Sequence, residues 1–314
     1  MEKSFTAAPD DLAVRPQLSH SVRVGTAGWN YRDWIGPVYP RKRPRGFHEL
    51  GYLAQFFDVA EINTSFYGAV RPSTARKWLE AVAPFPHFQF TAKLHQAFTH
   101  HMNPAEPPPA LDTEEFRAFA STLADAGKLG AVLAQFPWSF KNTADNRAYL
   151  ERLLDTFTEY PMVVEARHAS WDDPQFWKLL VDRGAGFCNI DQPVIGKSLG
   201  PSARRTSGVG YVRLHGRNYK EWFAEHGRDA RYDYLYSREE LAGWKERVEQ
   251  VSQNASATYV IANNHYQGQA AANALELISM LLDAPVPAPS ALVEAYPRLA
   301  DVTVTAQPSL FSIK

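Results

Sequence analysis

A single cysteine, Cys188, is all the thiol that this 314-residue chain carries. An internal disulfide and any Cys-x-x-Cys pair are thereby excluded, and a reducing, cytoplasmic compartment is expected. Excess charge of one sign is lacking too. The 33 Lys and Arg stand against 34 Asp and Glu, a formal net charge of −1, so no global field draws the chain onto nucleic acid or an anionic membrane. No long apolar run exists that could span a bilayer, and no membrane partner is expected. The first twenty residues are charged and have no apolar h-region, so they do not read as a signal peptide. No H-E-x-x-H zinc motif, no G-x-x-x-x-G-K-[ST] phosphate loop and no G-x-S-x-G elbow is read.

What the chain does have is a regular alternation. Apolar, β-branched runs recur at 22–26, 59–63, 88–93, 131–136, 162–166, 186–190, 210–215 and 258–263. Helical patterns lie between them at 46–57, 72–83, 112–129, 146–159, 173–184, 237–251 and 268–283. Ser237 followed by Glu240 is a capping box, and Pro72 suits a first helical turn. Strand–helix alternation argues a parallel sheet with helical crossovers, and eight such units argue one closed (β/α)8 TIM-type barrel over residues 21–284. The stretch after Asp191 shows no helical pattern, so the sixth helix is read as short or missing. Residues 1–20 read as a disordered tail, and 285–314 as a Pro/Ala-rich C-terminal tail that wraps the surface or stays loose.

Alternate residues of a strand face opposite sides. In "YVRLH" (211–215), Val212 and Leu214 form an apolar face for helices, which leaves Tyr211, Arg213 and His215 on the other. The same reading puts Glu61 and Asn63, Thr91 and Lys93, Gln135, Glu165 and Arg167, Asn189 and Asp191, and Asn263 on the barrel-interior face. Most of these lie at the strands' C-terminal ends, where barrel enzymes place their active sites. Glu61, Lys93, Glu165, Arg167, Asp191, Arg213 and His215 are therefore expected to converge in one pocket. The competing reading is a buried ionic network kept for stability, but desolvating so many charges for that alone is costly.

The segments "GTAGWNYRDWIGPVYP" (25–40), "EINTSFYG" (61–68), "QFPWSF" (135–140), "VEARHASW" (164–171), "RLHGRN" (213–218), "RYDYLYS" (231–237) and "NNHYQGQAAANA" (263–274) resemble the YecE-like family, also called domain-of-unknown-function family 72. The resemblance covers residues 22–283 and implies a TIM-type barrel from a bacterium or archaeon, without naming a reaction. Ala166 and Ala262 stand where the family often carries aromatics. Both lie on the helix-facing side, so packing rather than the site is expected to differ.

The chemistry of the ring reads in three ways. Glu61, Glu165 and Asp191 with His215 and His265 could hold a divalent metal or act as a tuned acid/base set. Glu165 and Asp191 are the candidate acid/base carboxylates and His215 the candidate proton shuttle. Lys93, Arg167 and Arg213 suit an anion, bidentately in the arginines' case, and argue partly against a metal. Aromatic and amide groups of the mouth loops, among them Trp29, Tyr31, Trp34, Tyr67, Tyr219, Trp222, Asn218, Asn263 and Asn264, suit a sugar or nucleobase, though they could equally be loop packing, and Gln135 and Arg217 are further candidate substrate contacts. The basic run "RKRPR" (41–45) follows the first strand and is expected on the same rim. At the far end, Gln307, Leu310 and Phe311 form a Q-x-x-L-F pattern that resembles peptides docking on the bacterial DNA sliding clamp. Together these suggest an enzyme acting on a phosphorylated or nucleic-acid substrate, hydrolysis of a phosphoester being the leading expectation. The alternatives are a sugar- or carboxylate-directed isomerase or lyase, and a non-catalytic nucleic-acid-binding module.

Overall fold

The computed structural model describes residue 18 and residues 21–222 and 230–305. Eight parallel strands close on themselves in sequence order: β1 (Val22–Ala27), β2 (Val59–Ile62), β3 (Gln89–Lys93), β4 (Leu129–Gln135), β5 (Met162–Glu165), β6 (Gly186–Asp191), β7 (Val209–Leu214) and β8 (Ala257–Ala262). Between them run α1 (Glu49–Leu53), α2 (Thr64–Tyr67), α3 (Pro72–Val82), α4 (Ala110–Asp125), α5 (Ala144–Thr156), α6 (Pro174–Asp182) and α7 (Arg238–Ser252), with α8 (Gln269–Leu282) after β8. No helix stands between β6 and β7, so the expected gap in the helical ring is real. The starts of several helices are fixed locally. Asp173 caps α6 by accepting from the Gln175 backbone N–H, and Ser237 and Glu240 complete the capping box of α7.

Two layers of apolar side chains follow from the period-2 alternation. The outer layer lies between strands and helices, with Phe90, Val132, Val164 and Phe187 in one sector and Val24, Val212 and Val260 in another. The inner layer is a smaller plug of Val59, Leu133, Val163, Cys188, Ile190, Tyr211, Tyr259 and Ile261. This plug fills the lower barrel, so polar side chains further along the same strands meet one another at the C-terminal end. Gly130 makes room for it, because a Cβ there would lie 2.2 Å from the Tyr259 hydroxyl.

Strand β6 departs from the expected facing. Cys188 pairs with Tyr211 and Ile190 with Arg213, and it is Cys188 and Ile190 that enter the barrel. Phe187 packs outward against Phe176 and Trp177, and Asn189 and Asp191 point outward with it. The reason is the missing helix. Coil covers the outer face of β6, and its backbone polar groups need partners that a helix supplies internally. Asn189 is that partner: its Nδ2 donates to the Arg204 carbonyl, and its Oδ1 accepts from the Arg204 N–H and the Ser202 hydroxyl. Polarity marks the cavity-facing side of the other strands' ends, and here it marks the face toward the coil.

The C-terminal stretch is more ordered than its composition suggests. β9 (Val286–Ala288) pairs in parallel with β10 (Thr303–Thr305), and α9 (Ser290–Ala295) lies between them. Val286, Leu292 and Leu299 are buried, and Arg298 donates to the Tyr236 carbonyl and to Glu276 Oε2. Residues 285–305 are therefore part of the folded body rather than a loose tail. Leu18 likewise packs into the outer layer beside Val22. No helix of the described residues is long and apolar enough to cross a membrane.

Candidate active site

The C-terminal ends of the strands enclose a cavity of about 770 Å³. Its deepest wall belongs to strand-end residues: Asn63 after β2, Lys93 ending β3, Gln135 ending β4, Arg167 after β5, Arg213 on β7 and Asn263 after β8. The upper wall is aromatic. Tyr31 stacks on His265 with centroids 4.4 Å apart, and Tyr232 flanks the same imidazole at 4.6 Å. Phe66, Trp138 and the half-exposed Tyr67 complete it.

Two carboxylates lie behind the wall, fully buried, and Arg213 ties them together. Its Nη2 donates to Glu61 Oε1 at 2.6 Å and its Nη1 to Glu165 Oε2 at 2.6 Å. Tyr211 hydroxyl donates to Glu61 Oε2, and Arg167 Nε donates to Glu165 Oε1 at 2.8 Å. Burial opposes the charge on Glu165, yet Arg213, Arg167 and His215 hold its carboxyl well below the usual range. Glu165 is thus an ionised counterion, unsuited to giving up a proton as a general acid.

His215 is buried beneath the cavity. Burial, only partly countered by Glu165, lowers its pKa to about 3. Asn263 Nδ2 lies 2.9 Å from Nδ1, and Glu165 Oε1 lies 3.2 Å from Nε2. This pattern assigns a neutral ring with its proton on Nε2, donated to Glu165. Gly216 follows at φ +90°, where any Cβ would meet Tyr234 at 2.8 Å, and turns the chain away from the barrel.

Lys93 differs from the other two cations. No carboxylate lies within 4.0 Å of its Nζ among the described residues, and the ammonium sits 4.1 Å from the centroid of the Phe66 ring. Burial first, then Arg213, lowers its pKa to about 7. Two arginines against two glutamates balance, which leaves Lys93 as the surplus positive charge when protonated. The buried Arg213 Nε–H also finds no partner among the described residues.

The sequence-derived set divides accordingly. Asn63, Tyr67, Lys93, Gln135, Arg167, Arg213, Asn263 and His265 line the cavity, and Glu61, Glu165 and His215 stand directly behind it. Asp191 does not join them. It sits on the outer side of β6, accepting from Trp244 Nε1 at 3.0 Å and Arg217 Nε at 2.9 Å. Arg217 is spent on Asp191 and Glu240, Asn218 donates to the Ala230 and Asp233 carbonyls, and Asn264 donates to the Tyr234 carbonyl and Asn273. Trp29 packs edge-on against Trp78, 5.2 Å away, in the outer layer. These five residues hold loops and helices in place. Gln96, His100, His101, Trp138, Arg231 and Tyr232 line the cavity without having been singled out. Trp138, Arg231 and Tyr232 lie inside the quoted segments "QFPWSF" and "RYDYLYS", which was the available signal. The clamp-like residues Gln307, Leu310 and Phe311 lie outside the described residues.

The donor set does not fit a divalent metal. The Glu61 and Glu165 oxygens are taken by Arg213, Arg167, Tyr211 and His215, and Asp191 lies on the outer side of its strand. No group of three or more His, Cys, Asp or Glu suited to an ion occurs among the described residues. The one G-x-S-x-G match in the sequence does not form a nucleophile elbow. Gly196 to Gly200 has G-x-S-x-G spacing, but it lies in the helix-free coil after β6, where Ser198 Oγ donates to the Ile195 carbonyl.

A closed (β/α)8 barrel with a cation-lined cavity at its C-terminal mouth is the class that this fold and site define. The family model described as "Protein of unknown function DUF72" matches residues 23–293. The chain belongs to this family, for which YecE-like is another name. It is 30% identical over 273 residues to the UPF0759 protein YunF of Bacillus subtilis (strain 168), covering 83% of this chain and 94% of that protein. A DUF72 family protein of Thermotoga maritima matches with a TM-score of 0.74 at 35% identity, covering 83% of this chain and 99% of that one. One from Enterococcus faecalis matches with a TM-score of 0.69 at 26% identity, over 83% and 95% of the respective chains.

Proposed function

We propose that the barrel mouth is an enzyme active site for a small anionic substrate, phosphorylated or carboxylated, with a ring or other planar portion. The observation that carries this reading is the trio Lys93, Arg167 and Arg213 in the deepest wall, whose charge the two buried glutamates do not fully cancel. Arginines already held by carboxylates are fixed in orientation, so binding an anion costs them little further ordering. Asn63, Gln135 and Asn263 add neutral hydrogen-bonding groups, and the rings of Tyr31, Trp138 and Tyr232 offer flat apolar surface above them. The test is calorimetric titration with inorganic phosphate, sugar phosphates, nucleoside monophosphates and small carboxylates. One of these classes should bind the intact protein and lose at least tenfold in affinity in Arg167→Ala. Binding that is equal in both proteins, or no binding by any class, would refute the reading.

A polynucleotide substrate is the second reading, and phosphoester hydrolysis the reaction it suggests. The exposed Arg41, Lys42, Arg43 and Arg45 on the loop after β1 favour it, although Arg43 is already paired with Glu49. Replacing all four by alanine should weaken oligonucleotide binding and flatten its salt dependence. Binding that is absent at low salt, or unaffected by the four substitutions, leaves only the small substrate. Docking of Gln307, Leu310 and Phe311 on a sliding clamp is a proposal from sequence alone. A titration of clamp with the 306–314 peptide, beside a Leu310→Ala/Phe311→Ala peptide, decides it, equal or absent binding by both counting against it.

A further inference from the structure

We propose that Lys93 is the reactive amine of the cavity, condensing with the carbonyl group of an anionic aldehyde or keto acid to form a Schiff base. The proposal rests on the anion-site reading above and names the substrate class within it.

The three cations of the deep wall are not equivalent. Arg213 is bound by both glutamates and Arg167 by one, so each is locked as a permanent charge. Lys93 ends β3, and its residue is only 8% exposed, yet its amine faces the cavity with no carboxylate within 4.0 Å among the described residues. A lysine kept only as an anion clamp gains from a carboxylate neighbour that holds it charged. Here Glu61 and Glu165 lie too far to pair with it and favour the ammonium only in part, while burial and then Arg213 outweigh them and favour the neutral, nucleophilic amine. The π-face of Phe66 favours the ammonium form, but burial and Arg213 prevail, and the amine is left half-protonated near neutral pH. One cavity therefore presents a nucleophile and, beside it, two fixed guanidinium groups that can hold a phosphate or carboxylate on the same molecule.

The step balances without a redox partner. The Nζ lone pair bonds to the carbonyl carbon, and the π electrons pass to oxygen, which takes a proton and gives a carbinolamine. The C–O bond then breaks and water leaves, and the C=N bond forms as a protonated imine. One proton is taken up overall, and the open mouth of the cavity gives it a route from solvent.

Pyridoxal 5′-phosphate is a suitable probe, because it carries an aldehyde and a phosphate on a planar ring. The intact protein is incubated with it, reduced with borohydride, weighed by mass spectrometry and peptide-mapped, beside Lys93→Met. Inorganic phosphate is titrated separately by calorimetry. The expected result is one saturable adduct on Lys93, suppressed by inorganic phosphate and missing from Lys93→Met. Its rate should rise with pH through a midpoint near 7. If phosphate binds but label appears only on exposed lysines, at equal rates in the two proteins, the amine role is overturned and the anion site stands. If phosphate does not bind and Lys93 is not labelled, both fall. Labelling of Lys93 with a midpoint near that of exposed lysines would also overturn the proposal, because the amine is then not activated.

Discussion

Glu165 holds two arginines and a histidine at once, so its replacement tests how the buried charges are balanced. Arg213, Arg167 and His215 all contact its two oxygens. Glu165→Gln leaves the guanidinium of Arg213, 1% exposed, with one carboxylate instead of two. Breaking a buried pair by removing one partner typically costs about 3–5 kcal/mol, so a marked loss of stability in denaturant titration is expected. An unchanged midpoint would show that the charges are less coupled than their distances imply. Lys93 works in the opposite direction. Its pKa is about 7 folded and 10.5 unfolded, so between those values the unfolded chain binds more protons and stability rises with pH. Below pH 7 the full penalty is present. Lys93→Met should therefore be more stable than the parent at pH 6, by a few kcal/mol at most, and the gain should shrink as the pH rises toward 10. A loss of stability at pH 6 would contradict the assignment. His215, neutral when folded and lowered to about 3, stabilises the fold above pH 6.5, and that contribution is lost as pH falls toward 3. Its ring resonances should show no titration between about pH 5 and 8, and a midpoint within that window would rule out the buried neutral ring.

At the scale of elements, β6 shows where sequence patterning stops being informative. Strand alternation places the interior residues of the other patterned strands correctly, because their polar ends meet in the cavity and their apolar faces meet helices. In "GFCNID" the polar residues are Asn189 and Asp191, and the same rule faces them inward. Nothing local reveals that the outer face of this strand is covered by coil, although the missing helix was itself legible. The two observations needed to be joined: a strand without a covering helix must satisfy the backbone of the coil that replaces it. Asn189→Ala should cost about 1–3 kcal/mol, the usual penalty for stranded buried partners, here the Arg204 amide and carbonyl. A loss below about 0.5 kcal/mol would mean that water replaces the side chain freely. The order within 286–305 was not legible for a related reason. The segment's proline and alanine content hides the buried Val286, Ala288, Leu292 and Leu299 and an arginine aimed at a buried glutamate, contacts too distant in sequence for any local pattern to show.

For the molecule as a whole, the order of strands and the end of the barrel that carries the cavity were legible because both follow from the same periodicity. Eight strand–helix units fix a closed barrel, and the barrel fixes which strand ends come together. Charge balance was not legible. The sequence contains the two glutamates and two arginines that neutralise one another, but only the cross-barrel distances show that Lys93 is left over. Net charge near zero therefore hides a local positive cavity, and the central claim is that this cavity receives an anion. The most direct measurement is a crystal structure of the protein grown with inorganic phosphate at a concentration near its dissociation constant. The account predicts a phosphate in the barrel mouth, within hydrogen-bonding distance of Arg167 and Lys93, that is missing from Arg167→Ala crystals grown the same way. Phosphate found only on the exposed 41–45 segment, with the mouth holding none, would contradict it.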